Sequence, residues 1–112
     1  MLSFQKLDVY KCAIELLAIG CEISSRAARG QGSFLDQLRR AATSIPLNIA
    51  EAAGRTCAAD AARCYAIARG SAMECAAILD VLRMLGIADA ETHRRGIELL
   101  ERIVAMLTKL CR

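Results

Sequence analysis

Two glutamates set among apolar residues, Glu51 and Glu74, are the side chains best suited to chemistry in this sequence. Paired carboxylates can share acid and base work, but only beside a group for them to activate. No nucleophile with an adjacent base accompanies them, and there is no G-x-x-x-x-G-K phosphate loop. The single histidine, His93, falls in the first turn of an expected helix, with no cysteine at ligand spacing and no H-x-E or E-x-x-H pattern around it. The sequence therefore points away from an enzyme, and no metal, cofactor or catalytic residue is expected.

Cys12, Cys21, Cys57, Cys64, Cys75 and Cys111 are scattered without a C-x-x-C pair, most of them where a helix takes a small apolar residue. Reduced thiols fit this pattern, while a disulfide framework would need an oxidising compartment. The longest charge-free run, Ala41 to Ala50, is too short to span a bilayer despite 55% hydrophobic content. Nor does the amino terminus carry a basic segment followed by an apolar one. These features predict a cytoplasmic location and no membrane partner.

The net charge is +3, with the positive excess in the middle of the chain. Between Arg26 and Arg69 stand seven basic residues against three acidic ones, Asp36, Glu51 and Asp60. Arg26, Arg29, Arg55, Arg63 and Arg69 are the candidate contacts for RNA or DNA, set against an ordinary solvated surface as the plainer reading. With two Phe, two Tyr and no Trp, stacking on bases is not expected, so binding would be electrostatic and salt-sensitive.

These residues need positioning, and the pattern supplies four helices. Apolar periodicity predicts helices over about 4–25, 34–53, 58–85 and 90–111 in a single domain spanning residues 1–112. Ser33 with Asp36 reads as a capping-box start, Gly86 followed by Ile87 as a helix stop, and Asp89 as an N-cap. Pro46 removes a backbone hydrogen bond inside the second helix and predicts a kink near Thr43. Few aromatic residues, one proline and short connections make this an all-α, antiparallel up-down-up-down four-helix bundle.

The helix faces differ. In the third, Cys64, Ala68, Ala72, Cys75, Leu79 and Leu82 form the expected core arc, backed by Ala62, Ala66, Gly70, Met73, Ala76 and Ala77. In the fourth, Ile97, Leu100, Ile103, Val104, Leu107, Leu110 and Cys111 share the expected core side. The first carries two apolar stripes, Leu7, Tyr10, Ile14, Leu17 and Cys21, and Val9, Ala13, Leu16, Gly20 and Ile23. A bundle core covers one stripe, so the second is expected to meet another copy of the chain. Val9, Ala13, Leu16, Gly20, Ile23, Ala62, Ala66, Met73 and Ala77 are the candidate oligomer interface, and a charge at Ala13 or Leu16 is expected to split the assembly.

In the second helix Gln37, Arg40, Ser44, Asn48 and Glu51 share an arc of about 80° beside the apolar face. Ser71 and Glu74 on the third helix can meet them. Either these seven residues join in a buried network, with Arg40 on Glu74 or Glu51, or they form a partly solvated boundary.

The stretch from Gln37 to Glu51, QLRRAATSIPLNIAE, resembles the hallmark segment of the four-helix-bundle proteins named after 23S rRNA intervening sequences. Phe4 to Leu7 is similar to that family's opening, and Ala68 to Glu74 (ARGSAME) to its second motif. Ala52 and Ala53 stand where the family usually has glycine, and Cys57 where a Ser or Thr cap is expected. The resemblance implies an up-down-up-down bundle, a homopentamer, and kinship with the accessory protein of diversity-generating retroelements, which associates with a reverse transcriptase and nucleic acid. Two functional readings follow. One is a non-catalytic oligomeric scaffold binding RNA, DNA or a reverse-transcriptase-like protein through its arginines. The other is a purely structural or protein-interaction module.

Overall fold

The computed structural model describes all residues, 1–112, as helices and short turns. A 3-10 turn over Ser3–Lys6 leads into α1 (Asp8–Arg26), α2 (Gly32–Gly54), α3 (Ala58–Met84) and α4 (Ala90–Leu110). At a rise of about 1.5 Å per residue α3 is about 40 Å long, so it runs almost the whole 44 Å of a 44 × 23 × 21 Å molecule. Partners along the seams fix the directions. From Arg69 to Asp80 on α3, the α4 partner moves backwards from Thr108 to His93. From Glu22 to Arg26 on α1, it moves from Arg95 to Asp89. The helices thus alternate up and down around one core.

The helix ends follow local chemistry, with some departures from the sequence reading. The first helix does not start at Phe4, because Leu7 is extended (φ −73°, ψ 133°) and separates the 3-10 turn from α1. Phe4 instead folds back edge-on against Tyr10, ring centroids 5.0 Å apart. Ser33 does not cap α2, which begins one residue earlier at Gly32, and Asp36 turns to Arg39 at 3.2 Å. Asp89 does cap α4, its carboxylate accepting the Thr92 amide at 2.8 Å. At the end of α3, Gly86 takes φ +76°, which lets the Ile87 amide reach back to the Leu82 carbonyl at 2.9 Å. Cys57 occupies the N-cap of α3 without a side-chain hydrogen bond, although the amides of Asp60 and Ala59 lower its thiol pKa. Pro46 is accommodated within a continuous α2.

The six expected core residues of α3 are all buried. In α1 the stripes exchange roles. Val9, Ala13, Leu16 and Ile23 are buried in the core of the protomer, joined by Cys12 and Ile19, while Gly20 is half-buried. Val9, Ala13, Leu16 and Ile23 therefore cannot be an oligomer interface, and a charge at Ala13 or Leu16 would enter the core instead of parting two copies. The stripe left outside is Tyr10, Ile14, Leu17 and Cys21, with Ile14 42% exposed. Cys12 and Ile19 decide the matter, since they widen the Val9–Leu16–Ile23 arc and give it more apolar surface to bury.

In α4 the buried arc is also rotated. Gly96 and Leu99 join Leu100, Ile103 and Leu107 inside, while Ile97, Val104 and Cys111 are half-buried and Leu110 is 38% exposed. The cause is close packing at Gly96, where an added Cβ would stand 2.6 Å from Leu79 Cδ1 and 3.9 Å from Ile19 Cγ2. Leu79 is 1% exposed, so its side-chain end would have to shift among close-packed neighbours.

Gly96→Ala tests this packing. Alanine improves helix propensity by about 1 kcal/mol, but overpacking of a core costs about 1–3 kcal/mol. The expected result in urea unfolding is a net loss of stability.

Asp89→Ala tests the α4 cap. Hydrogen bonding to Thr92, foremost from its amide, lowers the Asp89 pKa below its usual value. Its contribution is therefore present above the ordinary aspartate pKa and disappears as pH falls through the lowered folded value. Thermal melts should show the variant less stable at neutral pH, with the gap closing in acid.

Candidate functional site

Helices α2 and α3 bring part of the expected polar stripe together. Ser71 Oγ donates to Ser44 Oγ across the seam at 2.8 Å. Asn48 Nδ2 donates to the same Oγ at 3.0 Å and to the Ser44 carbonyl at 2.8 Å. All three residues are half-buried, and no buried side-chain nitrogen or oxygen in the molecule lacks a partner. Short hydroxyls and one amide fit between backbones that approach closely because Ala41, Ala68 and Ala72 fill the adjoining core positions.

The charged members stay outside. Gln37, Arg40, Glu51 and Glu74 are exposed. Glu51 pairs with Arg55, the residue just past the end of α2, and that hydrogen bond raises the Arg55 pKa. Arg40 joins no ion pair, so the expected bridge to Glu74 or Glu51 is absent. Solvation explains this, since burying an ion pair means stripping water from two charges that a surface position leaves hydrated. Gln37 and Arg40 line an open groove of about 450 Å³ with Ser33, Phe34 and Asp36. Two apolar residues flanking the seam were missed in the sequence, Leu47 at 63% and Ile67 at 43% exposure. Both lie about 40–60° from their seam serines by helical geometry, the signal that would have placed them.

The five candidate arginines do not converge. Arg26 and Arg29 lie where α1 meets α2, and Arg55 and Arg63 near the opposite end of the bundle. Arg26 approaches Asp89 only at 3.9 Å. Arg69 is half-buried, its Nε donating to Thr108 Oγ1 at 2.8 Å. Arg29 and Arg63 are exposed and outside every ion pair.

The four sides of the bundle differ in character. The α1/α4 side is charged: Arg95 bonds Glu22 at 3.0 Å, and Arg94 bonds Glu98 at 2.7 Å. The α2/α3 side carries the polar seam. The remaining two, α1/α2 and α3/α4, face opposite directions and each holds an apolar groove. Of the other expected interface residues, Ala66, Met73 and Ala77 are exposed and Ala62 is half-exposed. Cys12, Cys64 and Cys75 are buried, and burial pushes the Cys75 thiol up to about 12, whereas Cys21 and Cys57 are exposed. His93 Nε2 meets Asp80 Oδ1 at 2.8 Å at the α3/α4 seam. No helix is long and apolar enough to cross a membrane.

An alternating bundle of four long helices, closed by a short hydroxyl-amide seam between α2 and α3, defines an antiparallel four-helix-bundle protein. The chain belongs to the 23S rRNA-intervening sequence protein family, whose family model matches residues 5–109. The match takes in both motifs and, but for Leu110, all four helices. Among curated proteins, none matches the chain.

The seam can be measured as a unit. Ser44→Ala and Ser71→Ala should each cost about 1 kcal/mol in urea unfolding. The double variant should cost less than their sum, by about 0.5 kcal/mol or more.

Proposed function

We propose that this protein is a non-catalytic homo-oligomeric scaffold that associates with RNA, DNA or a nucleic-acid enzyme of reverse-transcriptase type. The observation that carries the reading is the apolar stripe Tyr10, Ile14, Leu17 and Cys21, which a single protomer covers only in part: Tyr10 and Leu17 are half-buried against the core, and Ile14 and Cys21 are exposed. Contiguous apolar surface of this kind marks a binding face, and a second copy supplies a matching one. Five copies is the number that the family resemblance suggests, and they would multiply the +3 charge of one chain fivefold.

The non-catalytic part of the reading is supported by what the most reactive groups do. Glu51 is tied to Arg55, Glu74 is solvated, and the seam between them is made of neutral groups already bonded to one another. Arg29 and Arg63 are the arginines freest to meet phosphates. The dispersal of the five arginines over both ends favours the second reading, a protein-interaction module with no nucleic-acid role.

Light scattering on a sizing column tests assembly, with a mass above twice 12.1 kDa expected at micromolar concentration. A 12.1 kDa particle would refute self-association. A gel-shift titration on structured RNA and duplex DNA separates the two readings. Binding that weakens steeply with added salt is expected for the first, and no binding at low salt leaves only the second.

A further inference from the structure

We infer that the α1/α4 side is an ionic strap of three rungs in one register, with Glu22–Arg95 closed and Glu15–Arg102 and Asp8–Lys109 open and poised to close. The closed rung is a fork, Arg95 Nη1 and Nη2 donating to the two carboxylate oxygens of Glu22 at 3.0 and 3.4 Å. Seven residues are close to two helical turns, so a step of seven returns to nearly the same face. The two helices run in opposite directions, so seven residues back from Glu22 on α1 lies level with seven forward from Arg95 on α4. Those residues are Glu15 and Arg102, and a second step of seven sets Asp8 level with Lys109. All three acids stand on α1 and all three bases on α4.

The packing agrees with this register. Glu15 and Arg102 line one open groove of about 370 Å³ over Ala18, Ile19 and Leu99. Burial raises the pKa of the Cys12 thiol and the Arg102 charge opposes that rise, which puts Arg102 against the turn of α1 between Asp8 and Glu15. Asp8, Glu15, Arg102 and Lys109 are all exposed, and none of them joins an ion pair. The two polar ties between α1 and α4, Glu22–Arg95 and Arg26–Asp89, both lie in the half of the seam next to the α3/α4 turn. The two open rungs fall in the other half.

The same charges oppose a slipped fourth helix. Sliding α4 by four residues in one direction brings Glu22 opposite Glu91 and Glu15 opposite Glu98, and sliding it by three in the other brings Glu22 opposite Glu98. Either slip sets like charges face to face, which selects the native register as flanking charges do between coiled helices. A slip of a whole heptad keeps two rungs and loses the third. The strap therefore acts on the carboxyl half of α4, the part farthest from the short turn that ties this helix to α3.

Urea unfolding at one fixed protein concentration tests the rungs by paired charge reversal. Glu15→Arg and Arg102→Glu should each lower the folding constant, and combining them should restore it, a coupling of about two- to fivefold. Asp8→Lys with Lys109→Asp should couple to the same extent, since any helix-end effect of Asp8 belongs to its single variant and cancels in the cycle. Glu74→Arg on the α2/α3 side changes the net charge as Glu15→Arg does, and it should show no coupling with Arg102→Glu. Both couplings should fade in about 1 M sodium chloride. Glu15→Gln with Arg102→Gln runs the same cycle without repulsion, for the case where a reversed charge prevents folding. Amide hydrogen exchange in the carboxyl half of α4 should quicken in each single variant and slow again in the double. Effects that simply add in either pair, a coupling that Glu74→Arg reproduces, or one that salt leaves intact overturns the strap.

Discussion

Gly96 has no side chain where α4 lies against Leu79 of α3 and Ile19 of α1, and that contact sets the rotation of the fourth helix. With Gly96 turned fully inward, Leu99, Leu100, Ile103 and Leu107 follow it into the core. Arg95, about 100° away, is carried towards α1 and meets Glu22. Ile97 and Val104, displaced the other way, form one wall of the α3/α4 groove. A charged side and an apolar side of the molecule thus both accompany one tight approach, where any larger residue would have to displace the end of the Leu79 side chain.

The same accounting of arcs explains what could be read without coordinates. The core of α3 was legible because Cys64, Ala68, Ala72, Cys75, Leu79 and Leu82 fall in a single arc, with mostly small residues such as Ala62, Ala66, Gly70 and Ala77 behind it. In α1 the charged strip of Asp8, Lys11, Glu15 and Glu22 stands at nearly equal angles from both apolar stripes, so polarity could not choose between them. The choice depended on volume, through Cys12 and Ile19, and on what the other three helices offered. Existence of two stripes was written in the sequence; which one faces inward is a property of the packed whole. The Gln37–Glu51 segment and the caps at Gly86 and Asp89 were readable because they are local, and Ser33 was misread because α2 begins before it.

The polar seam shows how the bundle admits hydrogen bonding without burying charge. Ser44, Asn48 and Ser71 satisfy one another in the half-buried interval between α2 and α3, while Arg40 and Glu51 of α2 and Glu74 of α3 reach water. Neutral groups of short reach can be satisfied by close neighbours, whereas ions need either water or a full set of partners. The sequence placed five of the seven on one stripe of α2 and the other two on α3; depth, which separates them into two kinds, is set by how near the backbones come.

The short turns, of three to five residues, have a consequence for how the molecule is made and opened. Three of its four seams join helices that follow each other directly, so they close small loops at little entropic cost. Only the α1/α4 side joins distant parts of the chain, as in the Glu22–Arg95 pair 73 residues apart. A chain of this topology gathers quickly from local hairpins of helices, and its long-range closure is held at the surface largely by solvated ions. The charged side is therefore the one seam whose closure spans most of the chain, and the share of it carried by solvated ions is the part of the cylinder that high salt weakens.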